Sequence, residues 1–172
     1  MFIPILLGTS REGNQSSKIS NYISSVMKEK GFETEIVSPK DYLKNFYTER
    51  LGKEREFDDT GKKYQEIIKR ADALIVVTPE YNRSFPGELK LLLDLLYEEY
   101  KGKRFYFVGV SDGLTGGVRA VESFMNAVVG VEAIPVKPKL FFPFVLEVFD
   151  EEGNLVKEEF KERVEKFVDS LS

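Results

Sequence analysis

Three polar loops in this sequence contain residue types that bind small anionic ligands, and each follows an apolar stretch of strand length. The first loop, residues 8–17, reads GTSREGNQSS. It combines hydroxyl and amide side chains with one cation, Arg11, and a segment with helical periodicity begins at its end. Unpaired N–H groups at a helix start favour an anion. The loop therefore predicts an anion-binding site, with an ordinary N-capped turn as the alternative.

The anion expected there is a terminal phosphate monoester. The loop lacks the G-x-G-x-x-G pattern that lets a backbone approach a pyrophosphate, and no Gly-Lys-Ser/Thr follows it. It offers side-chain donors instead, which suit the three terminal oxygens of such a phosphate. These donors are Thr9, Ser10, Asn14, Ser16 and Ser17.

The second loop, residues 78–87, reads TPEYNRSFPG and is rigid by composition. Its two prolines and its glycine restrict the backbone, so its N–H and C=O groups hold fixed directions. A rigid loop with a tyrosine can pack against a planar ring and bind the ring edge through main-chain groups. The alternative is a tight strand-to-helix connection with Pro86 in the first helical turn.

The third loop, residues 111–117, reads SDGLTGG and ends in a glycine pair at the next helix start. Glycines let a ligand approach backbone N–H donors closely, and such donors stabilise developing negative charge. A plain turn explains this loop equally well.

The composition limits which chemistry these loops can support. The chain has no cysteine and no histidine, which removes thiolate nucleophiles, Ser-His pairs and the usual zinc ligands, so no metal site is predicted. Chemistry must come from a cofactor, from carboxylates or from hydroxyls. Eight of the 29 acidic and four of the 25 basic residues lie in residues 150–172, which leaves residues 1–149 balanced. Without a basic stripe, nucleic-acid binding is not expected.

Localisation is predicted to be cytoplasmic. The N-terminus lacks the charged and apolar pattern of a signal peptide, and no apolar run reaches the roughly 18 residues of a membrane span. No membrane partner is therefore expected.

The hydrophobic pattern alternates strands with helices along the whole chain. Helical stripes occur between the strands and again at the C-terminus, and residues 140–149 form an aromatic-rich extension. Residues 38–61 are long for a plain connection, which is typical of a functional or assembly loop. The predicted strands span residues 2–8, 33–37, 73–77, 104–110 and 131–136.

This order predicts one α/β domain, residues 1–172, with five parallel strands in a doubly wound sheet. The pattern leaves two strand orders open, the flavodoxin-like 2-1-3-4-5 and a Rossmann order. Both place the ligand at the carboxyl ends of the strands, where all three loops emerge.

These loops together resemble the NADPH-dependent FMN reductase family, which includes quinone, azo and chromate reductases. The matching motifs are G-[ST]-x-R-x-x-[SN] at 8–14, P-E-Y-N-x-S-x-P-G-x-L-K at 79–90, and the serine–glycine loop at 111–117. The second motif is the specific one. The resemblance implies a flavodoxin-like three-layer α/β/α fold with strand order 2-1-3-4-5.

The resemblance also implies a flavin site. By it, Thr9, Arg11, Ser16 and Ser17 hold the FMN phosphate; Pro79, Glu80, Tyr81 and Asn82 border the isoalloxazine ring; and Ser111, Gly113, Gly116 and Gly117 face its pyrimidine side. Asn14 departs from the serine that many relatives have there. No side chain is assigned as a catalytic acid or base, because the flavin supplies the chemistry.

The expected function is an FMN-dependent oxidoreductase, with NADPH or NADH as hydride donor and a quinone, free flavin, azo or metal-oxyanion acceptor. Two alternatives stay open, an electron-carrier flavoprotein and a phosphate-metabolite binding protein without flavin. The family resemblance further implies a homodimer or homotetramer, with the apolar residues 140–146 as an interface or a wall of the core.

Overall fold

A computed structural model describes residues 1–43 and 58–171. Five parallel strands form one sheet in the order β2-β1-β3-β4-β5. This confirms the flavodoxin-like order and excludes the Rossmann order. The strands are β1 (Ile5–Leu7), β2 (Ile36–Val37), β3 (Ala73–Pro79), β4 (Arg104–Val110) and β5 (Ile134–Phe142).

Helices cover both faces of the sheet, because alternate residues of each central strand point to opposite sides. Leu74 and Val76 of β3 pack toward α3, α4 and α5, whereas Ile75 and Val77 pack toward α1 and α6. All four of these strand residues are buried. The helices are α1 (Gln15–Glu29), α2 (Pro39–Tyr42), α3 (Asp59–Arg70), α4 (Gly87–Asp94), α5 (Val118–Gly130) and α6 (Glu159–Asp169).

The first two strands are shorter than predicted. Pro4 accepts a hydrogen bond from the Ile75 N–H at 3.0 Å but has no N–H to donate, so regular pairing begins at Ile5. Phe2 still forms an isolated parallel bridge with Glu33. The predicted strand 33–37 is therefore reduced to its last two residues.

The fifth strand is present, but its predicted bounds, 131–136, were wrong. Residues 131–133 belong to the turn after α5, and β5 runs from Ile134 to Phe142 with a register shift against β4 between Phe105 and Phe107. A cis peptide bond precedes Pro138 within it. β5 is an edge strand, where a proline and the exposed Lys137 are tolerated because one side makes no ladder bonds.

The first residues of the aromatic-rich segment, 140–142, are the end of β5, and the rest of the segment follows the strand. Leu140, Phe142 and Val145 are buried in the core, whereas Phe144 and Leu146 are exposed. The segment thus forms part of the wall of the core. Of the predicted loop 38–61, α2 and the start of α3 are described, and residues 44–57 lie outside the described residues.

None of the helices in the described part of the chain is long and apolar enough to cross a bilayer.

Candidate functional site at the carboxyl edge of the sheet

The three predicted loops lie side by side, because they follow the adjacent strands β1, β3 and β4. Gly8, the first residue of the first loop, packs against the end of β3. Its N–H donates to the Val77 carbonyl at 2.7 Å, and a Cβ on Gly8 would lie 2.8 Å from the Thr78 Cα. Gly8 is therefore required by backbone packing between β1 and β3.

The first loop is shaped by Asn14, the N-cap residue of α1. Its Oδ1 accepts from the Ser17 N–H at 2.8 Å and from the Ser17 hydroxyl at 2.9 Å. Its Nδ2 donates to the Arg11 carbonyl at 2.6 Å. Asn14 and Ser17 thus hold the loop in shape, which accounts for an amide at the position where the family resemblance suggested serine.

Two side chains of the first loop have no hydrogen-bond or ion-pair partner within residues 1–43 and 58–171, those of Ser16 and Arg11. The Ser16 Oγ is buried without a hydrogen bond. The exposed Arg11 guanidinium forms no ion pair there and lies 6.0 Å from the centre of the Tyr81 ring. A buried hydroxyl without a partner and an unpaired cation beside a helix start fit an oxyanion such as a phosphate.

Thr9 and Ser10 place two more hydroxyls in this loop, and both donate to Glu88 at the start of α4. The buried Thr9 Oγ1 lies 2.5 Å from Glu88 Oε1, and Ser10 Oγ donates to Glu88 Oε2. Thr9 Oγ1 also accepts from the Arg11 N–H at 3.2 Å and lies 3.3 Å from the Tyr81 hydroxyl. We call Thr9, Ser10, Arg11 and Ser16 the phosphate cradle.

Glu88 was not among the residues that the sequence pointed to. Its contact with Thr9 spans 79 positions of sequence. One feature of the sequence could have pointed to Glu88. It is an acidic residue in the first turn of a helix, and that helix starts at the same edge of the sheet as the first loop.

The second loop closes on itself in a tight turn. The Tyr81 N–H donates to the Ser84 carbonyl at 2.8 Å, and the Ser84 N–H donates back at 3.0 Å. Asn82 and Arg83 at the tip have φ values of +51° and +64°, which side chains other than glycine rarely adopt. Such strained positions occur at ligand sites, and the turn leaves both tip residues exposed at the rim.

Glu80 links the second loop to the third. Its N–H donates to the Val110 carbonyl at 3.0 Å, and its Oε1 lies 3.3 Å from the Arg119 guanidinium of α5. Its other carboxylate oxygen is buried without a partner among the described residues. The neighbouring Pro79 ends β3 and is fully buried. The predicted set Pro79–Asn82 is thus brought to one rim.

The third loop is held by its own hydrogen bonds. The Gly113 N–H donates to Ser111 Oγ at 3.0 Å, and the Gly116 N–H donates to the Gly113 carbonyl at 3.2 Å. The Gly117 N–H has no hydrogen bond within the described residues. Two of the predicted backbone donors are therefore engaged inside the loop, and the N–H of the buried Gly117 is not.

Both glycines of the pair are needed by the backbone. Gly116 and Gly117 have φ values of +61° and +88°. A Cβ on Gly117 would lie 2.5 Å from the Val110 nitrogen, and one on Gly116 would lie 2.8 Å from the Pro143 nitrogen. The pair thus lets the loop pack directly on β4 and on the end of β5.

Outside this edge, the described residues hold no group of three or more acidic side chains able to bind a metal ion.

The sheet order and the three loops at its carboxyl edge define a flavodoxin-like α/β protein. The structure resembles FerB, a flavoenzyme NAD(P)H:(acceptor) oxidoreductase from Paracoccus denitrificans, with a TM-score of 0.78 and 20% identity over 98% of this chain and 93% of that one. It also resembles a flavodoxin mutant from Pseudomonas aeruginosa, with a TM-score of 0.65 and 16% identity over 99% of each chain. At these identities the likeness defines the fold.

The sequence profile of the NADPH-dependent FMN reductase family matches residues 1–146, and the chain belongs to this family. A quinone reductase from Pseudomonas putida is 33% identical over 103 residues, which are 56% of this chain and 55% of that protein. An NAD(P)H-dependent FMN reductase from Pseudomonas aeruginosa is 29% identical over 120 residues, 67% of this chain and 65% of that protein. The matched segment thus spans less than two thirds of these two relatives.

Proposed function

We propose that the chain is one flavodoxin-like FMN-binding domain that acts as an NAD(P)H-dependent oxidoreductase. Membership of the NADPH-dependent FMN reductase family supports this proposal. The observation that carries it is the phosphate cradle, where a buried hydroxyl without a partner and an unpaired arginine lie beside the start of α1. In the proposal, Thr9, Arg11, Ser16 and Ser17 hold the FMN phosphate.

The two other loops are proposed to hold the flavin ring. Pro79, Glu80, Tyr81 and Asn82 border it on the strained turn, and Tyr81 connects the two ends of the ligand because its hydroxyl also reaches Thr9. The third loop is proposed to lie along the pyrimidine edge, through Ser111, Gly113, Gly116 and Gly117. The Gly117 N–H is the donor of this loop best placed to stabilise negative charge on the ring.

Bound FMN would accept hydride from NADPH or NADH and pass electrons to a small-molecule acceptor. The protein then contributes binding and orientation, in keeping with a chain that has no histidine or cysteine. We propose a quinone as the acceptor class, in line with the quinone reductase relative.

An anaerobic titration tests this function. The purified chain is loaded with FMN, and NADPH and NADH are added separately while flavin absorbance is followed. We expect bleaching by at least one nucleotide and recovery of the colour when a quinone is added. FMN binding without bleaching would instead indicate an electron carrier, and failure to take up FMN would favour a phosphate-metabolite binding protein. Steady-state assays with quinone, free flavin, azo dye and chromate then rank the acceptors.

We further propose that two or four copies assemble. Exposed apolar side chains at Leu114, Phe144 and Leu146 lie near the third loop, since the Val145 N–H donates to the Ser111 carbonyl at 3.2 Å. Light scattering of the wild-type chain and of a Phe144→Ser/Leu146→Ser variant tests this; a monomeric wild-type chain would refute it.

A cytoplasmic location is proposed because NAD(P)H is held inside the cell, and cell fractionation tests it.

A further inference from the structure

Glu88 contacts the phosphate cradle from outside the loop that forms it. It lies in the first turn of α4, whose N-cap Pro86 provides no side-chain cap. Unpaired N–H groups at such a helix start favour a negative charge. The carboxylate is half-buried. One of its oxygens accepts a hydrogen bond from the Thr9 hydroxyl, and the other accepts one from the Ser10 hydroxyl.

The hydrogen-bonding capacity of a hydroxyl makes this contact exclusive. Each hydroxyl has one proton, so Thr9 and Ser10 cannot donate to Glu88 and to a phosphate oxygen at the same time. Thr9 Oγ1 is further engaged as an acceptor by the Arg11 N–H. A phosphate that uses these two hydroxyls must therefore first displace the carboxylate.

Charge opposes the simultaneous presence of both anions. Within residues 1–43 and 58–171, no lysine or arginine lies within 4.0 Å of the Glu88 carboxylate to form an ion pair. A phosphate placed on Thr9 and Ser10 would lie close to this carboxylate, and like charges at such a distance repel strongly when partly shielded from water. Arg11 is the cation of the cradle, and it forms no ion pair with Glu88 that would offset this repulsion.

We propose that Glu88 is an internal anion that occupies the cradle in the ligand-free chain and lowers the affinity for FMN by competing with its phosphate. This inference rests on the proposed function, in which Thr9, Arg11 and Ser16 of the cradle hold that phosphate together with Ser17. It gives Glu88 two opposite effects. The carboxylate stabilises the ligand-free loop, and it weakens binding of any ligand that carries a phosphate.

Comparison of FMN with riboflavin isolates the phosphate, because riboflavin has the same ring and ribityl chain without it. We expect Glu88→Gln to bind FMN about tenfold more tightly than the wild-type chain, which corresponds to about 1.4 kcal/mol. Riboflavin affinity should stay within about twofold, since the ring does not contact Glu88 in this proposal. Glu88→Ala should show the same selective gain and a lower melting temperature without ligand.

Asp94→Asn is the matched control. Asp94 lies on the same helix, pairs with Lys90 at the surface, and its substitution removes the same charge. It should change neither affinity by more than about twofold. Equal changes in FMN and riboflavin affinity for Glu88→Gln, or weaker FMN binding, would overturn the competition between the two anions.

Inorganic phosphate separates failure of this inference from failure of the proposed function. If no variant binds FMN or riboflavin, the function is wrong, and the inference is then judged from thermal unfolding with phosphate. The competition predicts a larger rise in melting temperature for Glu88→Gln than for the wild-type chain. An equal rise, or none, would overturn it.

Discussion

The third loop depends on Gly117 for two separable reasons, and a second glycine of the chain measures one of them alone. Gly117 and Gly153 both have φ values of +88°. A Cβ on Gly153 would meet no atom within 4 Å, whereas one on Gly117 would meet the Val110 nitrogen at 2.5 Å. Gly153→Ala therefore measures only the free-energy cost of a positive φ. Gly117→Ala measures this cost together with that of the steric overlap.

The two substitutions differ by an amount that follows from these contacts. A positive φ costs an alanine roughly 1–2 kcal/mol, from which about 0.4–1 kcal/mol is recovered because alanine restricts the unfolded chain. Gly153→Ala should thus lower the free energy of unfolding by about 1 kcal/mol. The atoms facing Gly117 belong to the backbone of β4, which is paired on both sides, so overlap there adds about 2 kcal/mol.

Urea denaturation followed by circular dichroism measures both values. We expect a loss of about 3 kcal/mol for Gly117→Ala and about 1 kcal/mol for Gly153→Ala. Gly117→Ala should also weaken FMN binding, because the third loop must move away from β4. Equal losses for the two variants would show that the loop relaxes freely, and the packing argument would then be wrong.

Three further predictions concern the cradle, the core and the response to pH. Arg11→Ala should weaken FMN binding by about 1.5–3 kcal/mol, the scale of a charged hydrogen bond, and leave riboflavin binding unchanged; an unaltered FMN affinity would place the phosphate elsewhere. Phe142→Ala should lower the free energy of unfolding by about 3–5 kcal/mol, whereas Phe144→Ala, exposed just beyond the end of β5, should change it by less than about 0.5 kcal/mol, and similar losses would contradict this difference in burial. Burial raises the pKa of both Tyr64 and Tyr100, whose hydroxyls lie 2.5 Å apart, above the ordinary tyrosine value of 10.0. The two tyrosines contribute fully to the free energy of unfolding below the unfolded-state pKa of 10.0. This contribution decreases as the pH rises above that value, because the unfolded chain releases these protons first. The urea midpoint should therefore decline above about pH 10, less steeply in a Tyr64→Phe/Tyr100→Phe variant, and equal declines would show that other groups control it.

The central strands could be predicted from sequence because their residues are buried on both faces. The run ALIVV at 73–77 and the strand at 104–110 are continuous apolar segments, and the structure places them where the pattern did. The bounds of the fifth strand could not, since Lys137, Pro138 and Lys139 interrupt its apolar run. An edge strand tolerates these residues on its unpaired side, and local patterning does not reveal which strand will be the edge.

The candidate site was predictable to the extent that each loop carries its own signal. Thr9, Arg11 and Tyr81 come together at one rim because parallel strands end at the same edge of a sheet. Glu88 was missed because its role depends on α4 folding back onto the first loop, a tertiary contact without a local pattern. The hydrogen bonds of Gly113 and Gly116 are, by contrast, local contacts inside their own loop.

The contact between Thr9 and Glu88 also has a consequence for the order of folding. Its partners are 79 positions apart, and it forms only after β1 has paired with its parallel neighbour β3. Parallel pairing across a long crossover is slow, because the entropy of closing the chain is lost before the contacts form. The Thr9–Glu88 contact is thus expected to form late, during synthesis as well as during refolding. The competition proposed for Glu88 would then arise only once the first and third strands have paired.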